Sequence, residues 1–92
     1  MVAKYGGDEF TLILPQTDQE GACAVAERMR AAVETHVFPL ATPGSITVSL
    51  GVSIFPEDAD DPIGLVQAAD RALYRAKKNG RNRVESLGER AA

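Results

Sequence analysis

The sequence predicts an α/β fold, an α+β sandwich of two helices against a sheet, and three observations predict it. Ile46, Val48, Leu50, Val52 and Ile54 alternate with Thr47, Ser49, Gly51 and Ser53, the period-two pattern of a strand with one apolar face. Residues 22–33 and 65–76 each carry apolar side chains at three- and four-residue spacing, the pattern of helices with one core-facing stripe. Short β-prone runs at residues 10–14 and 83–85 complete the order strand, helix, strand, helix, short strand. Two amphipathic helices need a sheet to bury their stripes, so further strands are expected from sequence outside the chain or from another copy.

Each element has its own signals. Pro15 ends the first strand, and Gly6-Gly7 before it is a dipeptide favoured in tight hairpin loops. The strand entering that hairpin has only residues 1–5, so the N-terminus is expected to be truncated within a larger domain. Thr17-Asp18-Gln19-Glu20 matches a capping box with Thr17 as the cap. The helix it opens should run to about His36, burying Ala22, Val25, Ala26, Met29 and Val33. Two prolines and a glycine mark residues 39–45 as a loop. The strand at 46–54 stops at Pro56, and Gly51 leaves room on its other face for a packed helix or a ligand. Asp61-Pro62 supplies an N-cap and a first-turn proline for the second helix. Leu65, Val66, Ala69, Leu73 and Ala76 form its stripe, and Asn79-Gly80 closes it. Residues 85–92 are expected to be a polar, frayed tail.

At 92 residues the chain holds one compact unit, and 45% apolar with 25% charged residues is ordinary globular composition. No apolar run approaches the roughly 20 residues that cross a bilayer, and no secretory signal is present, so no membrane contact is expected and the cytoplasm is the default location. A single cysteine, Cys23, excludes an internal disulfide and any multi-cysteine zinc site. The net charge of −3 conceals an asymmetry, since Arg71, Arg75, Lys77, Lys78, Arg81 and Arg83 crowd into one stretch without acids. The acidic remainder argues against nucleic acid as a partner but leaves a local anion site open.

Two segments carry candidate chemistry. In Gly6-Gly7-Asp8-Glu9-Phe10, two residues without side chains precede two carboxylates, the ligand type that hard divalent cations take alongside substrate phosphates. A glycine hairpin flanked by solvated acids would look the same. In the second segment, Asp70, Tyr74 and Lys77 share a helical face and Arg81 follows just beyond the cap, so Lys77 and Arg81 can converge on one phosphate. Cations that offset a helix dipole, beside a Tyr74 packed at the core edge, would read identically.

Residues 4–15, Lys-Tyr-Gly-Gly-Asp-Glu-Phe-Thr-Leu-Ile-Leu-Pro, resemble the signature segment of the GGDEF-domain diguanylate cyclases. Thr47-Val-Ser-Leu-Gly-Val-Ser-Ile resembles that family's next strand, and residues 69–82 resemble its A-D-x-A-L-Y-x-A-K-x-x-G-R-N stretch with every fixed position matched. Three ordered blocks over residues 1–84 make the resemblance specific. It implies the C-terminal half of a GGDEF, nucleotidyl-cyclase-like domain, an antiparallel sheet flanked by helices. It also implies an enzyme that condenses two GTP into cyclic di-GMP, a bacterial second messenger, across a homodimer, with Mg²⁺ or Mn²⁺. Asp8 and Glu9 would be the catalytic and metal-binding pair, Gly6 and Gly7 would admit the nucleotide, and Lys77 and Arg81 would hold the β- and γ-phosphates. The family's first half, with a further metal-binding aspartate and the guanine-reading residues, would precede Met1. The chain alone is therefore expected to be inactive. Lys4 stands where the family usually has arginine, keeping charge but losing the planar fork. The alternative within the same resemblance is a module that binds GTP or cyclic di-GMP without turnover.

Overall fold

The structure, a computed structural model, describes residues 17–87 in full and residues 2–5 and 9–12 as backbone. Its elements are β1 (Val2–Tyr5), β2 (Glu9–Leu12), α1 (Gln19–Thr35), β3 (Leu50–Val52), α2 (Pro62–Lys78) and β4 (Val84–Ser86). β1 and β2 pair antiparallel, with Val2 opposite Leu12 and Tyr5 opposite Glu9. β3 and β4 form a second, separate sheet.

That second sheet departs from the antiparallel arrangement the resemblance implied. β3 and β4 run parallel, Leu50 opposite Val84 and Val52 opposite Ser86. The direction follows from the connection, because α2 lies between the two strands and carries the chain back before β4 begins, as a parallel pair requires. The nine-residue strand expected at 46–54 is likewise reduced to the three residues of β3. Its only ladder partner among the described residues, β4, is itself three residues long. β4 also reaches Ser86, which is buried and accepts a hydrogen bond from Gln19 Nε2 at 2.9 Å. The expected tail at 85–92 thus begins with strand.

Helix capping follows the sequence with one shift. Asp18, not Thr17, is the N-cap of α1, its Oδ1 accepting from the Gly21 amide at 2.8 Å. With the cap at Asp18, the third helical position is Gly21 rather than Glu20, and a capping box needs a long acceptor side chain there. His36 is the C-cap, where the helix was expected to end. α2 starts as predicted, with Asp61 Oδ1 accepting from Gly64 at 2.6 Å and Pro62 opening the first turn.

The buried apolar residues are Ala22 and Ala26 of α1, Ala68, Ala72 and Ala76 of α2, and Ile54. In α2 the enclosed line is therefore shifted from the stripe expected at Leu65, Val66, Ala69, Leu73 and Ala76. Only Ala76 of that set is fully enclosed, and the other four are half-buried flanks. A line of methyl groups lets the helix backbone come close to the sheet, and bulkier side chains are displaced to the sides. In α1, Met29 is exposed where a core position was expected.

Gly51 marks the closest approach. A Cβ there would lie 2.2 Å from the Ala69 carbonyl oxygen and 2.4 Å from the Leu73 amide nitrogen, both backbone atoms of α2. Of the two occupants the sequence left open for this space, the structure holds the packed helix. Ser53 adds a second tie, its hydroxyl donating to the Leu65 carbonyl at 2.7 Å. Gly51→Ala cannot be absorbed by a side-chain rotation, so it should cost about 1–3 kcal/mol as overpacking does. Urea unfolding of the variant against the parent chain measures this, and equal midpoints would refute the close contact.

Candidate functional site

Of the sequence-predicted site residues, Glu9, Lys77 and Arg81 lie among the described residues. Glu9 is the first residue of β2, paired with Tyr5 across the hairpin. Gly6, Gly7 and Asp8 lie outside the described residues. Among the described residues no three His, Cys, Asp or Glu side chains gather as a metal-binding group. The carboxylates Asp8 and Glu9, adjacent in sequence, are hard oxygen donors, and this chemistry suits Mg²⁺ or Mn²⁺.

Lys77 lies in the last turn of α2 and Arg81 just beyond its C-cap. Arg75 and Lys78 share that turn, favourable positions for cations at the negative end of a helix. The chain then turns sharply. Asn79 is the C-cap, Gly80 takes φ +121°, and Arg81 donates its amide to the Ala76 carbonyl at 2.8 Å. This six-to-one bond is the signature of a Schellman closure. Arg81 and Asn82 follow with φ of 63° and 49°, a left-handed backbone that costs a residue with a side chain about 1–2 kcal/mol. Lys77 and Arg81 are both exposed. Tyr74, for which one of the two readings of this segment was a core edge, is 66% exposed on the same helix, and Asp70 is half-buried.

Arg83 is held differently. Its guanidinium donates to the Asn79 carbonyl and lies 3.5 Å from Glu85, while Asn79 Nδ2 donates to the same carboxylate at 3.4 Å. Of the basic residues at the end of this segment, Arg83 is engaged in closing the helix, and Lys77 and Arg81 are exposed.

Sequence reasoning missed a polar cluster beside this turn. Asn82 Oδ1 accepts from Arg30 Nη1 at 2.9 Å, its Nδ2 donates to Glu34 Oε2 at 2.7 Å, and its backbone amide donates to Ser49 Oγ at 3.1 Å. Arg30 also binds Glu27 through two nitrogens and Glu34 at 2.9 Å. Bonding to the Asn82 amide and to Arg30 holds the Glu34 carboxyl below its usual range, and Arg30 does the same to Glu27. The carboxylates in turn push the Arg30 guanidinium further into its charged form. The spacing of Glu27, Arg30 and Glu34 was visible in the sequence as helix-surface pairing. Their link to Asn82 spans about 50 residues and had no local signal.

With the geometry described, comparison with known proteins gives the family. The diguanylate cyclase GGDEF domain matches residues 1–83. Diguanylate cyclase A of Treponema denticola is 43% identical over 83 residues, covering 89% of this chain and 22% of that protein. Diguanylate cyclase DgcP of Pseudomonas aeruginosa is 41% identical over 85 residues, 91% of this chain and 12% of that protein. The response regulator PleD of Caulobacter vibrioides is 39% identical over 84 residues, 88% of this chain and 18% of that protein. The chain belongs to the GGDEF diguanylate cyclase domain family. It spans no more than about a fifth of the length of these relatives.

The lowered carboxyls have a pH consequence. Their contribution to stability is complete above the unfolded glutamate value of 4.5 and is lost as pH falls through the lower folded values. Melting temperature should therefore fall more steeply below pH 4.5 in the parent chain than in Glu34→Gln, with the two converging in acid. Parallel profiles would refute the cluster.

Proposed function

We propose that the domain to which this chain contributes condenses two GTP molecules into cyclic di-GMP, releasing two pyrophosphates. The observation that carries this is the retention in one family member of the unbroken Gly6-Gly7-Asp8-Glu9-Phe10 segment together with Lys77 and Arg81, both exposed at the end of α2. The curated relatives named diguanylate cyclases support the same chemistry.

In this reading the 3′-oxygen of one GTP forms a bond to the α-phosphorus of the other. The bond from that phosphorus to the β-phosphate oxygen breaks, and pyrophosphate leaves. The hydroxyl proton passes to the Asp8 carboxylate, and the reciprocal step closes the ring. Asp8 and Glu9 would hold Mg²⁺ or Mn²⁺, which when bound offsets negative charge on the phosphate oxygens. Gly6 and Gly7 would admit the nucleotide beside the backbone. Lys77 would meet the β- and γ-phosphates as a point charge and Arg81 as a planar fork. Such groups act by positioning and by stabilising charge that develops on oxygen.

The reaction brings two nucleotides face to face, so the reading includes a homodimer in the cytoplasm. The exposed apolar side chains of Ile46, Phe55 and Ile63 favour association. Sedimentation of the chain at micromolar concentration should show a dimer or larger species, and a compact monomer would count against it.

Turnover tests the activity. With Mg²⁺ or Mn²⁺, the chain extended upstream by the rest of its domain should convert GTP to cyclic di-GMP, and the 92-residue chain should not. Asp8→Ala should abolish product, and Lys77→Ala or Arg81→Ala should weaken GTP binding about tenfold or more, the scale of one charge-assisted contact. GTP binding without product in the extended chain would instead identify a non-catalytic binding module.

A further inference from the structure

We propose that Asn82 is a positioning residue for Arg81, through which α1 sets the phosphate-binding end of α2. The proposal rests on the reading above that Arg81 holds a phosphate group of the nucleotide.

Arg81 sits in a left-handed backbone between two anchors. On one side its own amide is fixed to the Ala76 carbonyl at 2.8 Å. On the other is Asn82, also left-handed, with its main-chain amide on Ser49 and both ends of its side-chain amide on α1. Asparagine suits this position for two reasons. It tolerates positive φ better than most residues with a side chain, and it alone of the small residues offers a donor and an acceptor in one plane. Aspartate would keep the acceptor for Arg30 but set a like charge against Glu34. Glycine would keep the backbone conformation but release α1.

The consequence is that the Arg81 side chain leaves the chain from a fixed point while its guanidinium stays exposed. Arg83, two residues on, is tied to Asn79 and Glu85 and is not offered in the same way. A cation whose backbone is already ordered loses less freedom when it takes a phosphate. The Asn82 contacts therefore act on affinity through Arg81, without touching the ligand.

The test is titration of the 92-residue chain with inorganic tripolyphosphate, followed by amide chemical shifts, for the parent, Arg81→Ala, Asn82→Gly and the double variant. Thermal melting of each variant verifies folding. Asn82→Gly should weaken binding about fivefold to tenfold, the scale of one ordinary hydrogen bond. In the Arg81→Ala background the same change should have no further effect. Glu34→Ala, at a half-buried position of α1, removes one of the two side-chain contacts of Asn82 and should act in the same direction by a smaller factor. This provides a second route if Asn82→Gly fails to fold.

Three results would overturn the proposal, and they are distinguishable. If Arg81→Ala weakens binding but Asn82→Gly and Glu34→Ala do not, the positioning role is wrong and the phosphate reading stands. If Asn82→Gly weakens binding equally with and without Arg81, Asn82 acts on the fold generally. If the parent does not bind tripolyphosphate, or Arg81→Ala changes nothing, the phosphate reading fails and the proposal with it.

Discussion

The approach of α2 to β3 at Gly51 is the constraint on which the rest of the arrangement depends. A helix backbone comes this close to a strand only where neither partner carries bulk, and here the strand supplies a glycine and the helix a line of alanines. From that contact the positions of both helix ends follow. The start is fixed by the Asp61 cap and by the Ser53 hydroxyl on the Leu65 carbonyl. At the other end the chain must turn within a few residues to lay β4 beside β3, so the residues beyond Lys78 adopt the tight, positive-φ path. The cationic end of the helix is thus held against the sheet rather than left as a loose tail.

The same short turn divides labour among residues of like charge. Arg83 closes the helix by bonding to Asn79 and lying beside Glu85, while Lys77 and Arg81 are exposed at its end. Arg30 on α1 faces two carboxylates and an amide, so it contributes organisation rather than available positive charge. A residue count would place all these cations in one basic patch, but hydrogen bonding gives them different roles.

Much of this was legible in the sequence because the signals were local. Proline after aspartate set the start of α2, glycine after asparagine set its end, and the alternation around Leu50 to Val52 located β3. Periodicity alone could not tell that Ala68 and Ala72, rather than Leu65 and Leu73, form the enclosed line of α2. The closeness of Gly51 to the helix backbone decides that, and it arises only after the two elements meet. Parallel pairing of β3 with β4 was equally hidden, since strand direction is a property of the connection. For the candidate site, the residue types and spacing of Lys77 and Arg81 were readable. The contacts of Asn82 with Arg30 and Glu34 were not, because they join segments about 50 residues apart.

The alanine line has a thermodynamic consequence. The heat capacity change of unfolding grows with the apolar surface that unfolding exposes, and alanine releases little of it. With five alanines and one isoleucine as the enclosed apolar positions of the described residues, that enclosed set adds little to the heat capacity of unfolding. A core that releases little apolar surface makes stability vary more gently with temperature, as a shallower dome.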